Sequence, residues 1–203
     1  MRTHCLIPTE SIEPSRERVL ALQGMPGDAR VPDKVEDLFH HALEIFHQLA
    51  RPIALLEAIS GRACAELFFD DVQEAMGTPL PGIIKRSTRL ALYAVTAGSD
   101  PEGRVDFLFS KGDLGLAVML DAVSSAAMEM AAEFCASQLF DEVNDPLLCG
   151  DGVVLGYSPG YCGWPVTAQN RLWTRLRPDE IDNSLTASCM MGPRKSVSCI
   201  LVG

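Results

Sequence analysis

An α+β fold, with helices packed on a twisted antiparallel sheet, is predicted by three observations. Apolar residues recur at helical spacing over most of the chain. The two segments of clearest strand character, 184–191 and 196–202, follow one another as a hairpin near the C-terminal end. Strands and helices do not alternate as a βαβ series would require. The 203 residues, 47% of them hydrophobic, allow a sizeable core, and one domain is the default at this length.

Each element has its own justification. Residues 1–14 read as an arm, with Pro8 and Pro14 spaced by polar residues, and a short helix follows that stops near Gly24 and Pro26. A longer helix begins at Pro32, whose fixed φ suits a first turn, and runs to Pro52 with Val35, Leu38, Phe39, Ala42, Leu43, Ile45, Phe46 and Leu49 at helical spacing. Segments 53–59 and 63–69 read as strands about a Ser60-Gly61-Arg62 turn, and 83–97 as a helix closed by Gly98. The longest helix is predicted from Asp113, as N-cap, to about Leu139. Its stripe is Leu116, Leu120, Val123, Ala127, Met130, Ala131 and Phe134, and its small residues Ala122, Ser124, Ser125, Ala126 and Ala127 invite close approach of another element. After Asn144-Asp-Pro146 come a Gly-rich loop over 155–165, a helix over 167–176 and the final hairpin about Gly192-Pro-Arg-Lys195. The organisation is one domain over 1–203: an arm and short helix (1–30), helices and short strands (31–112), then the long helix, loop, helix and hairpin (113–203).

Charge narrows the function classes. Lys plus Arg number 17 against 27 Asp plus Glu, a net charge of −10, which repels phosphate backbones and argues against nucleic acid as a partner. The balance suits a cytoplasmic protein, or one that docks on a basic patch of another protein. No apolar run is read as approaching the roughly 20 residues of a membrane helix, and the N-terminal residues lack a signal-peptide apolar region. Seven cysteines without a CxxC pair point to reduced thiols rather than a disulfide scaffold. His4, His40, His41 and His47 all lie in the first quarter, so no metal site is assigned.

The sequence LGYSPGYCGWP at 155–165 carries the most information. Glycines and prolines set the backbone at chosen positions while Tyr157, Tyr161 and Trp164 offer flat apolar faces with polar edges. Two readings stand: a turn packing its aromatics into the core, or a loop that lays backbone against a ligand. Glu129 and Glu133 are spaced i, i+4 and share one helix face, either as a solvated edge or with one carboxylate accepting from a ligand ammonium. Cys162 has no His in the second half of the chain to serve as base, so no catalytic residue is assigned. Arg194 and Lys195 stand at the hairpin tip as solvated charges or an anion contact. P-loop, GxGxxG and HExxH motifs are absent.

Ser158-Pro-Gly-Tyr161 with Pro165, then a helix, then Leu185-Thr-x-Ser188 and Pro193-x-x-Ser-Val-Ser198, resembles the activation domain of cobalamin-dependent methionine synthase. The resemblance is strongest over 113–203, and the earlier part is similar to short stand-alone relatives of that domain. It implies an activation-domain-like fold that binds S-adenosylmethionine and assists reductive reactivation, by remethylation, of cobalamin on a partner. That partner is a corrinoid protein or a cobalamin-dependent methyltransferase of methionine biosynthesis. Ser158, Gly160 and Tyr161 stand at the resembling loop positions, Glu129 aligns with a carboxylate facing the donor's amino group, and Tyr157 and Trp164 are candidates for stacking on adenine or corrin. Gly156 stands where the resemblance implies an Arg, Val166-Thr167 where it implies Asp-His, and Ala187 where it implies an acid. The alternative that follows is a docking module for a corrinoid protein that no longer binds S-adenosylmethionine.

Overall fold

The computed structural model describes residues 2–26, 28, 30–69, 77–87, 89–141 and 155–203. The turn expected at Asn144-Asp-Pro146, and Cys149, lie outside them. A five-stranded sheet is built from β1 (Arg2–Leu6), β2 (Ile53–Ala58), β3 (Leu90–Thr96), β4 (Leu155–Tyr157) and β7 (Ser196–Val202), in the order β1-β2-β3-β7-β4, with every neighbouring pair antiparallel. Two short strands, β5 (Ser184–Leu185) and β6 (Met191–Gly192), pair with each other in a separate ribbon.

Helices cover both faces of the sheet. On one lie α1 (Arg16–Leu22) and α2 (Asp33–Leu49); on the other, α3 (Gly61–Phe69) and α4 (Leu80–Arg86). The first face is completed by α5 (Asp100–Ser110) and α6 (Leu114–Asp141), the second by α7 (Gln169–Leu176). All seven residues of β3 are buried, and alternate side chains feed the two cores. Ala91, Tyr93 and Val95 face the first core with Cys199 and Leu201, whereas Leu90, Leu92 and Ala94 face the second with Ile200 and Val202. The register pairs Tyr93 with Cys199 and Leu92 with Ile200, so each cross-strand pair stays on one face.

The fold class holds, while four local expectations are corrected. The arm is an edge strand, β1, followed by a 3₁₀ turn at Thr9–Ile12. Segment 63–69 is helical. The Ser60 hydroxyl accepts from the Ala63 N–H at 3.2 Å, Arg62 pairs with Glu66 one turn on, and Cys64 and Phe68 share the buried face at i, i+4. The helix expected over 83–97 is two elements, α4 and β3, because a continuous apolar run can be a buried strand as readily as a helix. The C-terminal hairpin does not form as drawn. Most of 184–191 is a tight turn, and β7 pairs instead with β3 and β4. Helix α5, with Pro101 in its first turn and Val105 and Leu108 buried, has no counterpart in the sequence reading.

The 24 residues Leu114–Ser137 within α6 are long and apolar enough to cross a membrane by length and composition, contrary to the sequence reading, and most of that span is buried inside the fold. Ala117, Ala126, Ala127 and Ala131 are fully buried along it. These short side chains let α6 lie close to the sheet and to α2 and α5, as the density of small residues predicted.

Candidate functional site

The Gly-rich loop leaves the edge of the sheet at β4 and folds back on itself. Tyr161 N–H donates to the Ser158 carbonyl (3.2 Å), Trp164 N–H to that of Tyr161 (2.9 Å), and Gly160 N–H to that of Trp164 (2.9 Å). The double reversal needs left-handed backbone at Gly160 (φ 93°), Cys162 (φ 51°) and Gly163 (φ 73°). At Gly163 space forbids anything larger than hydrogen. A Cβ there would collide with the Gly77 carbonyl oxygen and lie 2.9 Å from its carbon. The loop is thus seated backbone against backbone on the segment at Gly77.

A cleft of about 710 Å³ opens between this loop and the C-terminal segments. Residues 156–162, Val166 and Gln169 form one wall, Cys189, Met190 and Met191 the other, and Ser196, Val197 and Ser198 at the start of β7 the floor. The volume lies within the range of small-molecule sites. Across from the loop, a tight turn holds the second wall: Cys189 N–H donates to the Thr186 carbonyl (2.9 Å), Met190 N–H to Thr186 Oγ1 (3.0 Å), and Asn170 Nδ2 to Cys189 Sγ (3.2 Å). Exposed Tyr161 and Met190 stand on opposite sides, at 71% and 61% accessibility. Among the described residues lining the cleft, none carries a formal charge.

Of the residues singled out in the sequence, the structure brings Gly156, Tyr157, Ser158, Gly160 and Tyr161 together in this lining. Trp164 is not there. It is buried in the second core, edge-on to Phe68 with ring centroids 5.2 Å apart and against Phe69, so the packing reading holds for it and the ligand-stacking reading does not. Glu129 is also outside the cleft. It is exposed on α6 beside Arg18, whose guanidinium is held above its ordinary pKa chiefly by hydrogen bonds to Glu133 (2.7 and 3.2 Å), with a smaller contribution from the charge of Glu129. Arg194 pairs with Asp106 (2.7 Å) and Glu102, while Lys195 reaches Asp121 (2.7 Å) and Ser125 Oγ (2.8 Å). Both cations therefore tie the 193–195 turn to α5 and α6 and neither lines the cleft. Among the described residues, no group of three or more His, Cys, Asp or Glu side chains is placed to hold a metal.

Gly156 has a structural reason. It pairs with Leu201 on β7, and a Cβ on it would point at Cys199 Sγ (3.3 Å) and Leu201 (3.9 Å), toward the first core. An Arg here would have to cross that apolar surface. Sequence reasoning missed Gln169 and the sulfur-bearing wall. The signal for Gln169 was present: a glutamine at the head of the i, i+3, i+7 stripe it forms with Leu172 and Leu176, all three buried.

Sheet order, two-sided helical cover and the cleft beside β4 and β7 define an α+β module of the activation-domain fold. No protein-family model and no curated protein matches the chain. Among solved structures, the chain is similar to a crystal structure of the MetH reactivation domain bound to AdoHcy, with 15% identity and a TM-score of 0.72 over 100% of this chain and 78% of that one. The fold is therefore shared along the whole length of this chain.

Proposed function

We propose that the cleft binds an S-adenosyl ligand, with S-adenosylmethionine as the working form. In this reading the chain is an accessory module that assists remethylation of cobalamin carried by a separate corrinoid protein or methyltransferase. One observation carries the reading. Residues of both sequence blocks that resemble the activation domain meet at one cleft, 158–162 of the first as one wall and 189–191 and 196–198 of the second as the facing wall and the floor. The likeness to a domain whose solved structure contains AdoHcy, the demethylated form of S-adenosylmethionine, supports the same ligand class.

The chain's own contribution is binding and orientation. Gly156 and Gly160 bring bare backbone into the lining of the cleft. Tyr157, half-buried against the second core, supplies a wall, and the exposed Tyr161 ring stands over the opening. None of the described lining residues is charged, so these residues hold a ligand by shape and neutral hydrogen bonds. A bound methyl donor would be held for in-line transfer to the reduced cobalt, which the partner's corrinoid supplies.

Calorimetry with S-adenosylmethionine and with AdoHcy tests the reading. Binding is expected for both, Tyr161→Ala weakens it about tenfold through lost ring contact, and Glu129→Gln leaves it unchanged. Absence of heat at millimolar ligand sinks the proposal. A second reading, a docking module without the methyl donor, is favoured by Gly156 and by the lack of charge among the described lining residues. It predicts an altered visible spectrum of a cob(II)alamin-loaded partner when the protein is added without ligand, and an unchanged spectrum removes it.

A further inference from the structure

Charge divides the two helical faces of the sheet. On the first, α2 carries Asp33, Glu36, Asp37 and Glu44 against Lys34 alone, and α6 carries Asp121, Glu129 and Glu133 with neither Lys nor Arg. On the second, α3, α4 and α7 carry Arg62, Lys85, Arg86, Arg171 and Arg175 against Glu66 alone. The acidic face holds a groove of about 470 Å³. Leu22 and Met25, at and just past the end of α1, form one side, and Val118 and Ala122 of α6 the other. Leu22 and Val118 are 45% and 49% exposed, and Leu114, one turn before Val118, is 58% exposed. Large apolar side chains gathered along a groove and left in water mark an interaction surface. Leu114, Val118, Ala122, Ser125 and Glu129 share one face of α6 over about four turns. Along it Asp121 is paired with Lys195 and Glu133 with Arg18, both at 2.7 Å, while Glu129 makes no ion pair among the described residues.

We propose that this groove docks a basic amphipathic helix of a partner protein, with the helix's apolar stripe laid on Leu22, Val118 and Ala122 and its cations turned to Glu129 and the acidic helices around it. Charge selects the occupant. A net charge of −10 and the carboxylates of α2 and α6 draw a basic segment and repel an acidic one. A second copy of this chain fits poorly. Groove against groove brings acid to acid, and the basic helices α3, α4 and α7 present no exposed large apolar side chain among the described residues to enter it. The described linings of groove and cleft have no residue in common, so docking here does not depend on what the cleft binds.

The test is fluorescence anisotropy on the full chain with a labelled helical peptide of about 16 residues, its leucines at i, i+4, i+7 and i+11 and its lysines on the flanks. Binding is expected to be about tenfold tighter than for a peptide of the same composition with scattered leucines, or for one with glutamates in place of lysines. It should weaken about fivefold between roughly 50 and 500 mM salt. Val118→Asp separates docking from general attraction, because it adds negative charge while spoiling the apolar wall. Groove docking then weakens about tenfold, whereas attraction by charge alone strengthens. Circular dichroism reports whether the variant folds, and Leu22→Ser, which leaves the charge unchanged, repeats the measurement if it does not. Whatever the unmodified protein shows with S-adenosylmethionine in calorimetry, Val118→Asp should show too, which keeps the groove distinct from the cleft. No binding of the patterned peptide, equal binding of the scattered one, or unchanged or tighter binding by Val118→Asp overturns the proposal. So does a concentration-dependent dimer that Val118→Asp dissolves, since the groove then belongs to a second copy.

Discussion

Among the described glycines, Gly163 carries the tightest constraint. Its positive φ and the Gly77 carbonyl behind it leave no room for a side chain. Gly163→Ala combines left-handed strain with a backbone clash and should destabilise the protein by about 2–4 kcal/mol, read as a lower urea midpoint. The thiols divide by environment. Burial pushes Cys64, Cys135 and Cys199 up to about 12, while Cys162 is exposed. In the unfolded chain these thiols ionise near 9; in the folded chain they hold their protons to about 12. Their contribution is therefore whole below pH 9 and is lost as pH rises from 9 toward 12. Urea midpoints should be lower at pH 10.5 than at pH 8, and the difference should shrink in Cys199→Ala. Iodoacetamide at pH 8 should modify Cys162 well before these three, and a ligand in the cleft should slow it.

At the scale of elements, the cleft depends on how its walls are fastened. The second wall hangs on the Thr186–Met190 turn, and the turn that joins it to the floor is tied to α6 by Lys195, whose side chain is 11% exposed between Asp121 and Ser125. Lys195→Ala should cost about 1–2 kcal/mol through the lost hydrogen bonds and loosen that wall, so ligand affinity should fall with stability. Asp121, half-exposed, should matter less. Helix α6 fails differently: Ala127→Leu forces bulk into a fully buried seam and should cost about 1–3 kcal/mol.

Element by element, legibility followed periodicity. The 33–50 and 113–139 helices and β7 were readable because their apolar spacing is long and unambiguous. β3 was not, since LALYAVT has no alternation to display when both faces are covered. Segment 63–69 misled because Phe68 and Phe69 mimic strand composition while the deciding feature, the Ser60 cap, sits outside it. At the site, the loop was legible from its glycines and aromatics. Trp164 was not, because identity alone does not tell a core indole from a ligand platform. Glu129 was placed by alignment, and only the packing of α6 against α1 shows that it faces Arg18.

Across the whole molecule, the sheet joins two cores through its central strands, β3 and β7, each of which feeds both. They are the shared wall between a large core on α1, α2, α5 and α6 and a smaller one on α3, α4 and α7. Loss of packing on either side exposes the same strands, so the two cores should melt together. Leu120→Ala and Leu172→Ala, one in each core, should each lower a single common transition by about 2–5 kcal/mol, seen alike by circular dichroism and tryptophan fluorescence. Two resolved transitions would count against a shared wall. Because β7 floors the cleft at Ser196–Ser198 and enters the cores at Cys199–Val202, ligand binding should stabilise this one transition, by about 2.7 kcal/mol at a hundredfold excess over Kd.

The seating of the loop on Gly77 has a consequence for redesign. A loop whose shape is held by backbone contacts and glycine dihedrals does not depend on the identity of its outward side chains. Tyr161 and Val166 are therefore interchangeable parts on a fixed frame, whereas Cys162, at φ 51°, admits only residues that tolerate left-handed backbone, such as Gly or Asn. A library randomised at Tyr161 and Val166 should retain the fold while sampling new ligand preferences, which makes this rim a natural starting point for directed evolution.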